Sequence, residues 1–390
     1  MKVLFLVTDD WYFLSHRLDL ARGARDAGME VVVVTAPGSR VSEIEAEGFR
    51  HRPLRFHRTK SSQPRNLRVM LALTRIYEQE RPDVAHHVSF LPIVFGSAAA
   101  RRARVPAVVN AVTGLGHAFV GASLGRRLLR FGVERGYASA FRGPRQTVLF
   151  QNEDDREEFL ARGLLKSVDC IVVPGSGVDT ERFTPTVPEA SEQSAPRVLH
   201  VSRMLWTKGV ADSVEASRLL RERGVEHHLV LAGRTHPTNP ESIPEERLRA
   251  WEEEGAATWL GHLEDVRPEL ARSRVVCLPS VYREGVPKAL LEASASARPV
   301  VTTDVPGCRD AVADGESGML IPVHAPERLA RALESLLTQP ELCERMGRAG
   351  RERMLRGFSH RMVVERTLDC YRKLLGQSDL GARGLSTVSG

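Results

Sequence analysis

Short apolar runs alternate with segments of helical character along most of the chain. Residues 3–7 predict a buried strand, residues 14–27 a helix that ends at Gly28, and residues 30–35 the next strand. This succession of strand, helix and strand is typical of the opening of a doubly wound α/β sheet. The first half of the chain is therefore predicted to contain a parallel sheet with helices on both faces.

The alternation continues to about residue 173. It predicts helices at 66–79, 91–102 and 153–162, and strands at 82–87, 107–112, 147–151 and 169–173. Residues 183–196 are then polar and proline-rich without periodicity, which is typical of an interdomain linker.

A second series of the same kind follows. It predicts strands at 197–202, 228–232, 258–260, 275–278 and 300–303, and helices at 210–223, 244–254 and from 326 to about 375. We therefore predict an α/β protein of two doubly wound, Rossmann-like domains facing a central cleft, with ligands at the carboxyl ends of the strands. The expected bounds are 1–185 and 196–357, with a C-terminal helix at about 358–376 crossing back and a disordered tail at 377–390.

Residues 275–304 hold the most informative pattern, which predicts strand, loop, helix and strand. Pro287 suits the first position of a helix at 288–297, because its missing N–H would be unpaired there. Glu284 precedes this helix, and Glu292 lies eight residues further on, a separation of about two helical turns. A diphosphate on the amides at the helix start, with a ribose and a sugar hydroxyl on the two carboxylates, fits this arrangement. Two surface glutamates on an ordinary helix remain the alternative.

Two cations follow the first strand of the second half. Arg203 and Lys208 are placed just beyond that strand, where both could converge on a diphosphate, Arg as a planar fork and Lys as a point charge. The alternative is that both side chains face solvent.

Composition limits the class of protein. The 390 residues are 42% hydrophobic and 27% charged, and the net charge of +6 fits an anionic partner without requiring one. The five scattered cysteines indicate free thiols in a reducing compartment. We expect neither a signal peptide nor a spanning helix, because the apolar runs are too short. Nucleic-acid binding is disfavoured, since no basic run is interleaved with aromatic residues.

Taken together, the motifs resemble those of the retaining GT-B glycosyltransferases of the E-x7-E group. The likeness covers nearly all of residues 1–375. It is carried by S-R-M-L-W-T-K-G at 202–209, L-A-G-R at 231–234, W-L-G-H at 259–262, Y-R-E-G-V-P-K-A-L-L-E-A at 282–293, D-V-P-G-C-R-D at 304–310 and P-G-S-G-V-D-T-E-R-F at 174–183.

A narrower likeness concerns the acceptor. D-W-Y-F-L-S-H-R at 10–17, N-A-V-T-G-L-G at 110–116 and N-P-E-S-I-P at 239–244 resemble the branch that transfers N-acetylhexosamine-type sugars to undecaprenyl-diphosphate-linked saccharides. The likeness implies a UDP-sugar donor in the C-terminal domain and a lipid-linked saccharide acceptor in the N-terminal domain. Transfer to a soluble acceptor, epimerisation of a sugar nucleotide and a silent binding scaffold are the alternative functions.

The likeness also implies roles for individual residues. Arg203 and Lys208 would neutralise the departing diphosphate, Glu284 would hold the donor sugar, and Glu292 would hold the ribose. The remaining donor-binding residues would be Gly233, Gly285, Val286, Pro287 and Lys288, and the acceptor-binding residues would be His16, Arg17, Thr113, Gly114, Leu115, Gly116 and His117.

Some of these assignments have structural alternatives. The loop at 9–13 lacks the glycine pair that many members of the group have after the first strand, and His117 follows the glycines at 114 and 116 instead of preceding them. A chemical role for His117 is therefore open, and His16 is as readily explained as a helix residue bonded to backbone.

No essential metal is predicted. His86 and His87 lack further ligands at recognisable spacing. Asp154 and Asp155 begin a helix, where they would compensate its dipole.

The segment 119–141 is both basic and apolar. Arg126, Arg127 and Arg130 alternate with Leu124, Leu128, Leu129 and Phe131. Such a helix can lie on an anionic membrane surface, or it can pack on its own domain with the arginines in water. We expect a cytoplasmic protein, either free or peripheral on the inner face of the cell membrane.

Overall fold

The computed structural model describes residues 1–56, 63–114, 124–143, 145–166, 168–186, 195–237 and 239–376. The chain divides into two compact units. Unit 1 contains residues 1–113, 121–173 and 363–390, and unit 2 contains residues 114–120 and 174–362.

Unit 1 is built on a parallel sheet. Its described strands are β1 (Lys2–Leu6), β2 (Glu30–Thr35), β3 (Arg50–Pro53), β4 (Val84–Val88), β5 (Ala107–Ala111), β6 (Gln146–Phe150) and β7 (Asp169–Val172). Their order in the sheet is β3-β2-β1-β4-β5-β6-β7. The helices between them are α1 (Asp10–His16), α2 (Leu18–Asp26), α3 (Val41–Ala46), α4 (Gln63–Glu80), α5 (Phe90–Arg102), α6 (Leu124–Ala140) and α7 (Glu153–Ala161).

Unit 2 repeats the plan with a second parallel sheet. Its strands are β8 (Arg197–Val201), β9 (His228–Ala232), β10 (Thr258–Trp259), β11 (Ser273–Leu278), β12 (Val300–Thr303) and β13 (Gly318–Ile321), in the order β10-β9-β8-β11-β12-β13. Its helices are α8 (Val210–Glu222), α9 (Glu245–Glu253), α10 (Arg267–Arg272), α11 (Lys288–Ala295), α12 (Cys308–Ala311), α13 (Pro326–Thr338) and α14 (Pro340–Gly357), and α15 (His360–Leu374) ends the described chain.

Each sheet separates two apolar layers because successive strand residues point to opposite faces. In β1, Val3 and Phe5 enter one core cluster, whereas Leu4 and Leu6 enter another. Helices cover both layers, as expected for parallel strands that are buried on both faces. The prediction of two doubly wound sheets is therefore confirmed.

Several predicted element bounds were wrong. The helix predicted at 14–27 is two helices, because Arg17 has a φ of −130° that ends α1 and precedes α2. Residues 10–13, predicted as loop, form the start of α1. Pro287 caps α11 in an extended conformation, with a φ of −65° and a ψ of 123°, and is not its first helical residue.

The short elements α3, β3, α10, α12 and β13 were not predicted, since their apolar pattern is too short to show a period. The predicted linker began at residue 183, whereas the chain passes into unit 2 at Pro174, and Phe183 is buried there. Residues 187–194 and the predicted tail at 377–390 lie outside the described residues. No described helix is both long enough and apolar enough to cross a membrane.

Candidate functional site

Two loops at the carboxyl ends of neighbouring strands meet in unit 2. The β8 loop (residues 202–209) follows β8, and the β11 loop (residues 279–287) follows β11, which pairs directly with β8. The loops are joined by backbone, since the amide of Val281 donates to the carbonyl of Thr207 at 3.0 Å. This is the edge of the sheet at which doubly wound folds bind ligands.

The two loops bring Lys208 and Glu284 into an ion pair. Their side chains are only 11% and 13% exposed. The buried hydroxyl of Ser280 donates to the same carboxylate oxygen of Glu284 at 2.6 Å. A cation and a carboxylate, both largely removed from water, therefore lie where the two loops join.

Three glycines with positive φ allow the loops to approach this closely. Gly209, Gly233 and Gly307 have φ values of 71°, 146° and 84°. A Cβ atom would lie 2.0 Å from the Pro279 carbonyl oxygen at Gly209, 1.7 Å from that of Ser202 at Gly233, and 1.5 Å from that of Gly285 at Gly307. Gly233, predicted to bind the donor, instead lies against the backbone that follows β8.

Four residues predicted to bind the donor join the β11 loop to α11, and their environments differ. Gly285 lies against Gly307, and Val286 is buried in the core of unit 2. Pro287 caps α11, and Lys288 is its first residue. Val286 therefore contributes packing to the core of unit 2 through its side chain.

Glu292 lies one turn along α11 from Lys288, and a carboxylate oxygen is 3.6 Å from the Lys288 ammonium. The Glu292 side chain is 15% exposed. Burial raises the pKa of Glu292, while the nearby Lys288 acts in the opposite direction. Glu292 is thus a poorly solvated acceptor beside the Lys288 ammonium.

Arg203 is exposed at the start of the β8 loop. Its carbonyl accepts from the amide of Leu205 at 2.7 Å and from the hydroxyl of Ser202 at 2.9 Å, so its backbone is fixed. Among the described residues no ion pair holds its guanidinium. Arg203 can therefore turn toward an anion without breaking an ion pair with another described residue.

The predicted acceptor residues of the first motif lie in unit 1. The His16 ring stacks on Tyr12 with centroids 4.2 Å apart, which orients the imidazole at the end of α1. Arg17 is only 6% exposed and donates to the His16 carbonyl at 2.8 Å. Burial lowers the pKa of Arg17, with Tyr12 and Tyr371 acting in the opposite direction. Arg17 is thus enclosed within unit 1.

The second acceptor motif is described only in part. The hydroxyl of Thr113 lies 3.2 Å from that of Ser89, and Gly114 has a φ of 113°. Leu115, Gly116 and His117 lie outside the described residues.

The adjacent histidines of β4 are core residues. The His86 Nδ1 atom lies 2.6 Å from the Tyr371 hydroxyl on α15. On the opposite face, the Nε2 and Nδ1 atoms of His87 lie 2.9 Å from the Tyr77 hydroxyl and the Asn110 amide oxygen. Burial lowers the pKa of His87 to about 4, so both nitrogens serve internal hydrogen bonds to neutral partners.

Within the described ranges, no three His, Cys, Asp or Glu residues gather as a candidate metal site. Asp154 and Asp155 lie in the first turn of α7, and the amide of Asp155 donates to the side chain of the N-cap Asn152 at 2.8 Å. The two aspartates therefore lie in the first turn, where they were predicted to compensate the helix dipole, and Asn152 supplies the cap.

Two residues of this region were missed. Ser280 supports Glu284, and the buried His200 lies beneath the β8 loop. A single polar residue inside an apolar strand was the available signal for His200. For Ser280 the pattern holds no signal, because serine after a strand is common in any loop.

Both halves of the chain match known sequence families. Residues 184–353 match the family described as glycosyl transferases group 1, and residues 2–142 match the family described as glycosyl transferase 4-like. The putative glycosyltransferase EpsD of Bacillus subtilis is 29% identical over 381 residues, covering 95% of this chain and 96% of that protein.

A Campylobacter jejuni protein is 24% identical over 381 residues, with 93% of this chain and 98% of that protein covered. It is named N,N'-diacetylbacillosaminyl-diphospho-undecaprenol alpha-1,3-N-acetylgalactosaminyltransferase.

Solved structures show the same fold. Sucrose-phosphate synthase from Thermosynechococcus elongatus superposes with a TM-score of 0.80 at 18% identity, covering 97% of this chain and 100% of that chain. Anabaena Alr3699/HepE in complex with UDP and glucose superposes with a TM-score of 0.77 at 16% identity, covering 96% and 100%. The sequence relationships and the shared fold agree: the chain is a glycosyltransferase with the GT-B fold.

Proposed function

We propose that the protein is a retaining transferase that moves a sugar, of the N-acetylhexosamine class, from a UDP-sugar to a lipid-diphosphate-linked saccharide in surface glycan biosynthesis. The observation that carries the proposal is the largely buried Lys208–Glu284 pair at the junction of the β8 and β11 loops, with the exposed Arg203 on the same loop as Lys208.

Departure of a nucleoside diphosphate leaves negative charge that must be stabilised as the glycosidic bond breaks. Lys208 supplies a fixed positive charge for this purpose, and Arg203 supplies a fork that can bind two phosphate oxygens at once. Because the Lys208 side chain is only 11% exposed, its charge stabilises the transition state more strongly than it would in water. We assign to both the neutralisation of the donor diphosphate.

The carboxylates suit the neutral parts of the donor. Glu284 can accept a hydrogen bond from a sugar hydroxyl in addition to the contacts that Ser280 and Lys208 make to one of its carboxylate oxygens. Glu292 can accept from ribose hydroxyls at the far side of the α11 start. Neither role needs a covalent sugar–enzyme intermediate, and the acceptor is taken to attack on the face that the diphosphate leaves.

The proposed nucleotide and acceptor are supported by proteins that this chain resembles. A structural neighbour was solved with UDP and glucose, and the Campylobacter relative acts on an undecaprenyl-diphosphate-linked substrate by its name. Both support a UDP-sugar donor and a lipid-linked acceptor for this chain. His16, beside Tyr12, is the described side chain of unit 1 that we assign to the acceptor.

A lipid-linked acceptor would bring the enzyme to the inner face of the membrane, and α6 offers a suitable surface. Leu128, Leu129 and Phe131 are 67%, 49% and 55% exposed. The other end of α6 is anchored, since the buried Tyr137 packs on Phe159 with ring centroids 4.9 Å apart. Exposed apolar residues beside arginines fit the interface of an anionic bilayer.

The proposal is tested by ligand screening followed by transfer. UDP, GDP, ADP and their sugars are compared for thermal stabilisation, and the stabilising sugar nucleotide is then assayed with a polyprenyl-diphosphate saccharide, with sugar phosphates and with no acceptor. Stabilisation by UDP and transfer to the lipid substrate with retained anomeric configuration are expected. Turnover only with soluble acceptors, or of donor alone, would contradict the acceptor assignment.

We also propose that the reaction needs no divalent metal. Transfer should continue at an undiminished rate in excess EDTA. Loss of transfer that magnesium or manganese restores would overturn this part of the proposal.

A further inference from the structure

His200 lies in β8 directly beneath the β8 loop and is fully buried. Its Nδ1 atom is 2.9 Å from the Ser213 hydroxyl on α8, and its Nε2 atom is 2.9 Å from the Ser202 hydroxyl. Ser202 in turn lies 2.9 Å from the carbonyl oxygen of Arg203. The ring therefore joins the first residues of the loop to the helix that follows the loop.

The hydrogen bonds have one consistent direction. Ser202 has a single hydroxyl hydrogen, which the Arg203 carbonyl accepts, so Ser202 receives its other bond from Nε2–H. Burial and the nearby Lys208 lower the pKa of His200 to about 3, so only one ring nitrogen carries a hydrogen. Nδ1 therefore accepts from the Ser213 hydroxyl. The series of hydrogen bonds runs from Ser213 through His200 and Ser202 to the carbonyl of Arg203.

Backbone bonds hold the opposite edge of the loop, and the Ser280 hydroxyl lies 3.3 Å from the Thr207 carbonyl oxygen. The amide of Met204 donates to the Arg234 carbonyl at 3.0 Å, and the amide of Trp206 donates to the Glu241 carbonyl at 2.9 Å. The edge that bears Arg203 is joined through Ser202 to the buried ring of His200. Ser213 also belongs to α8, whose N-cap Gly209 directly follows Lys208. The ring thus braces both ends of the segment that carries the two cations.

We propose that His200 is a positioning residue that sets the β8 loop, and with it Arg203 and Lys208, for the donor diphosphate. The inference rests on the proposed function of these two cations. A neutral imidazole suits this place because it donates on one side and accepts on the other without adding charge beside Lys208. Fixing the loop before the donor binds reduces the ordering cost of binding.

The test compares His200→Leu with His227→Leu. His227 is a matched control, because it is also a buried histidine of unit 2, with ring nitrogens 2.8 Å from the Ser217 hydroxyl and 2.9 Å from the Val225 carbonyl. Three quantities are measured: the melting temperature, the Kd of UDP by calorimetry, and hydrogen exchange of the amides at 202–209. His200→Gln, whose amide can reach Ser202, is the rescue variant.

Both leucine variants should lower the melting temperature by similar amounts. His200→Leu alone should speed exchange in the β8 loop and weaken UDP binding about tenfold, the effect expected for losing one well-placed hydrogen bond. His200→Gln should recover most of the affinity. Equal losses of UDP affinity in both leucine variants, or none in either, would overturn the inference.

Two further results are distinguished from failure of the His200 proposal: a wild-type protein that does not bind UDP, and a His200→Leu variant that does not fold. If the wild-type protein does not bind UDP, the proposed donor is wrong, while loop exchange in His200→Leu still tests the brace. If His200→Leu does not fold, Ser202→Ala is used instead, because it interrupts the same series of hydrogen bonds at a residue outside the core. Unchanged loop exchange and UDP affinity in Ser202→Ala would then contradict the brace.

Discussion

Lys208 and Glu284 are separated by 76 residues in sequence and form an ion pair whose side chains are 11% and 13% exposed. Without a ligand each largely neutralises the other. A donor diphosphate would bring a second set of negative charges to Lys208, so the ammonium can be shared between Glu284 and the phosphates. The pair is thus both a structural contact and the charge that the proposed reaction uses.

Removing one partner should therefore damage both stability and activity. Lys208→Met and Glu284→Gln each leave a poorly solvated charge unpaired, which we expect to cost roughly 3 kcal/mol of unfolding free energy. The double variant should regain most of that stability but stay at least about 100-fold slower in transfer, because its diphosphate has lost a stabilising charge. Urea denaturation and initial rates measure the two effects.

The exposed pair formed by Arg218 and Glu254 is the control. Its side chains are 36% and 45% exposed, so Arg218→Met and Glu254→Gln should change unfolding free energy by less than about 1 kcal/mol. Transfer should be unaffected. A Lys208→Met/Glu284→Gln enzyme with wild-type turnover would refute the catalytic assignment of both residues.

Arg203 should affect ligand binding without affecting folding. Because its guanidinium is exposed, Arg203→Ala should leave the melting temperature unchanged and weaken UDP binding by about 10- to 100-fold, as for the loss of a charge-assisted contact. Arg203→Lys should recover only part of the affinity, since a point charge cannot bind two oxygens as a fork does.

Arg348→Ala, at a position whose side chain is 71% exposed on α14, controls for the loss of one positive charge. Calorimetry with UDP should show no change in this variant. If Arg203→Ala and Arg348→Ala bind UDP equally well, Arg203 does not contact the diphosphate.

Gly307 should tolerate no side chain, because a Cβ atom there would overlap with backbone. Gly315 serves as a comparison that has the same backbone strain without the overlap. Gly307 and Gly315 have φ values of 84° and 75°, so alanine at either is strained by about 1–2 kcal/mol. Only at Gly307 would the new Cβ meet backbone, 1.5 Å from the Gly285 carbonyl oxygen and 2.6 Å from that of Glu284.

Gly315→Ala should therefore lower unfolding free energy by that strain alone and keep full transfer activity. Gly307→Ala should lower it by more than about 3 kcal/mol and also reduce transfer, because the β11 loop must shift to relieve the overlap. Denaturation curves and rates measured side by side decide this. If the two variants have equal unfolding free energies and equal transfer rates, the β11 loop can shift without loss of stability or activity.

The sequence predicted the sheets better than the site. Residues 30–35 were placed correctly as β2 because an unbroken run of valines between polar residues has few other interpretations. The sequence gives no signal for the break at Arg17, since no glycine or proline marks it and only the backbone angle ends α1.

Within the site, Lys208 and Glu284 were each predicted to bind the donor, but not to bind one another. Their contact depends on β8 and β11 being neighbours in the sheet, and this strand order cannot be predicted from a single sequence. His200 shows a related limit, since a histidine in an apolar strand does not reveal which hydroxyls it will meet.

The raised pKa of Glu292 gives a dependence on pH with a defined sign. Burial raises it above 4.5, while Lys288 and Arg182 act to lower it and Asp265 to raise it. Between 4.5 and the raised pKa the folded protein binds more protons than the unfolded chain, so this group makes stability fall as pH rises through that window.

If the Glu292 carboxylate accepts from the ribose, UDP affinity should rise over the same window in which stability falls. Glu292→Gln should flatten both profiles and weaken UDP binding about tenfold at neutral pH. Melting temperatures and UDP Kd values from pH about 4 to 8 test this. A wild-type UDP affinity that falls as Glu292 ionises would exclude the carboxylate as the ribose acceptor.

The exposed end of α6 should carry membrane binding if the acceptor is lipid-linked. Leu128→Ser/Phe131→Ser removes two side chains that are 67% and 55% exposed, so folding should be little changed. Flotation with phosphatidylglycerol vesicles should fall at least about tenfold, because the apolar contribution to interfacial binding is lost. Leu355→Ser, at a leucine of α14 in unit 2 that is 50% exposed, should float as the wild type does.

The charge contribution is separated by salt and by lipid. Binding of the wild type should weaken with added salt and on neutral phosphatidylcholine vesicles, since arginines near an anionic surface contribute about 1 kcal/mol each and are screened by ions. Wild-type protein that floats with neither kind of vesicle would exclude α6 as a membrane surface. The acceptor assay would then be repeated with a detergent-solubilised substrate, because loss of surface binding and loss of acceptor recognition are separate failures.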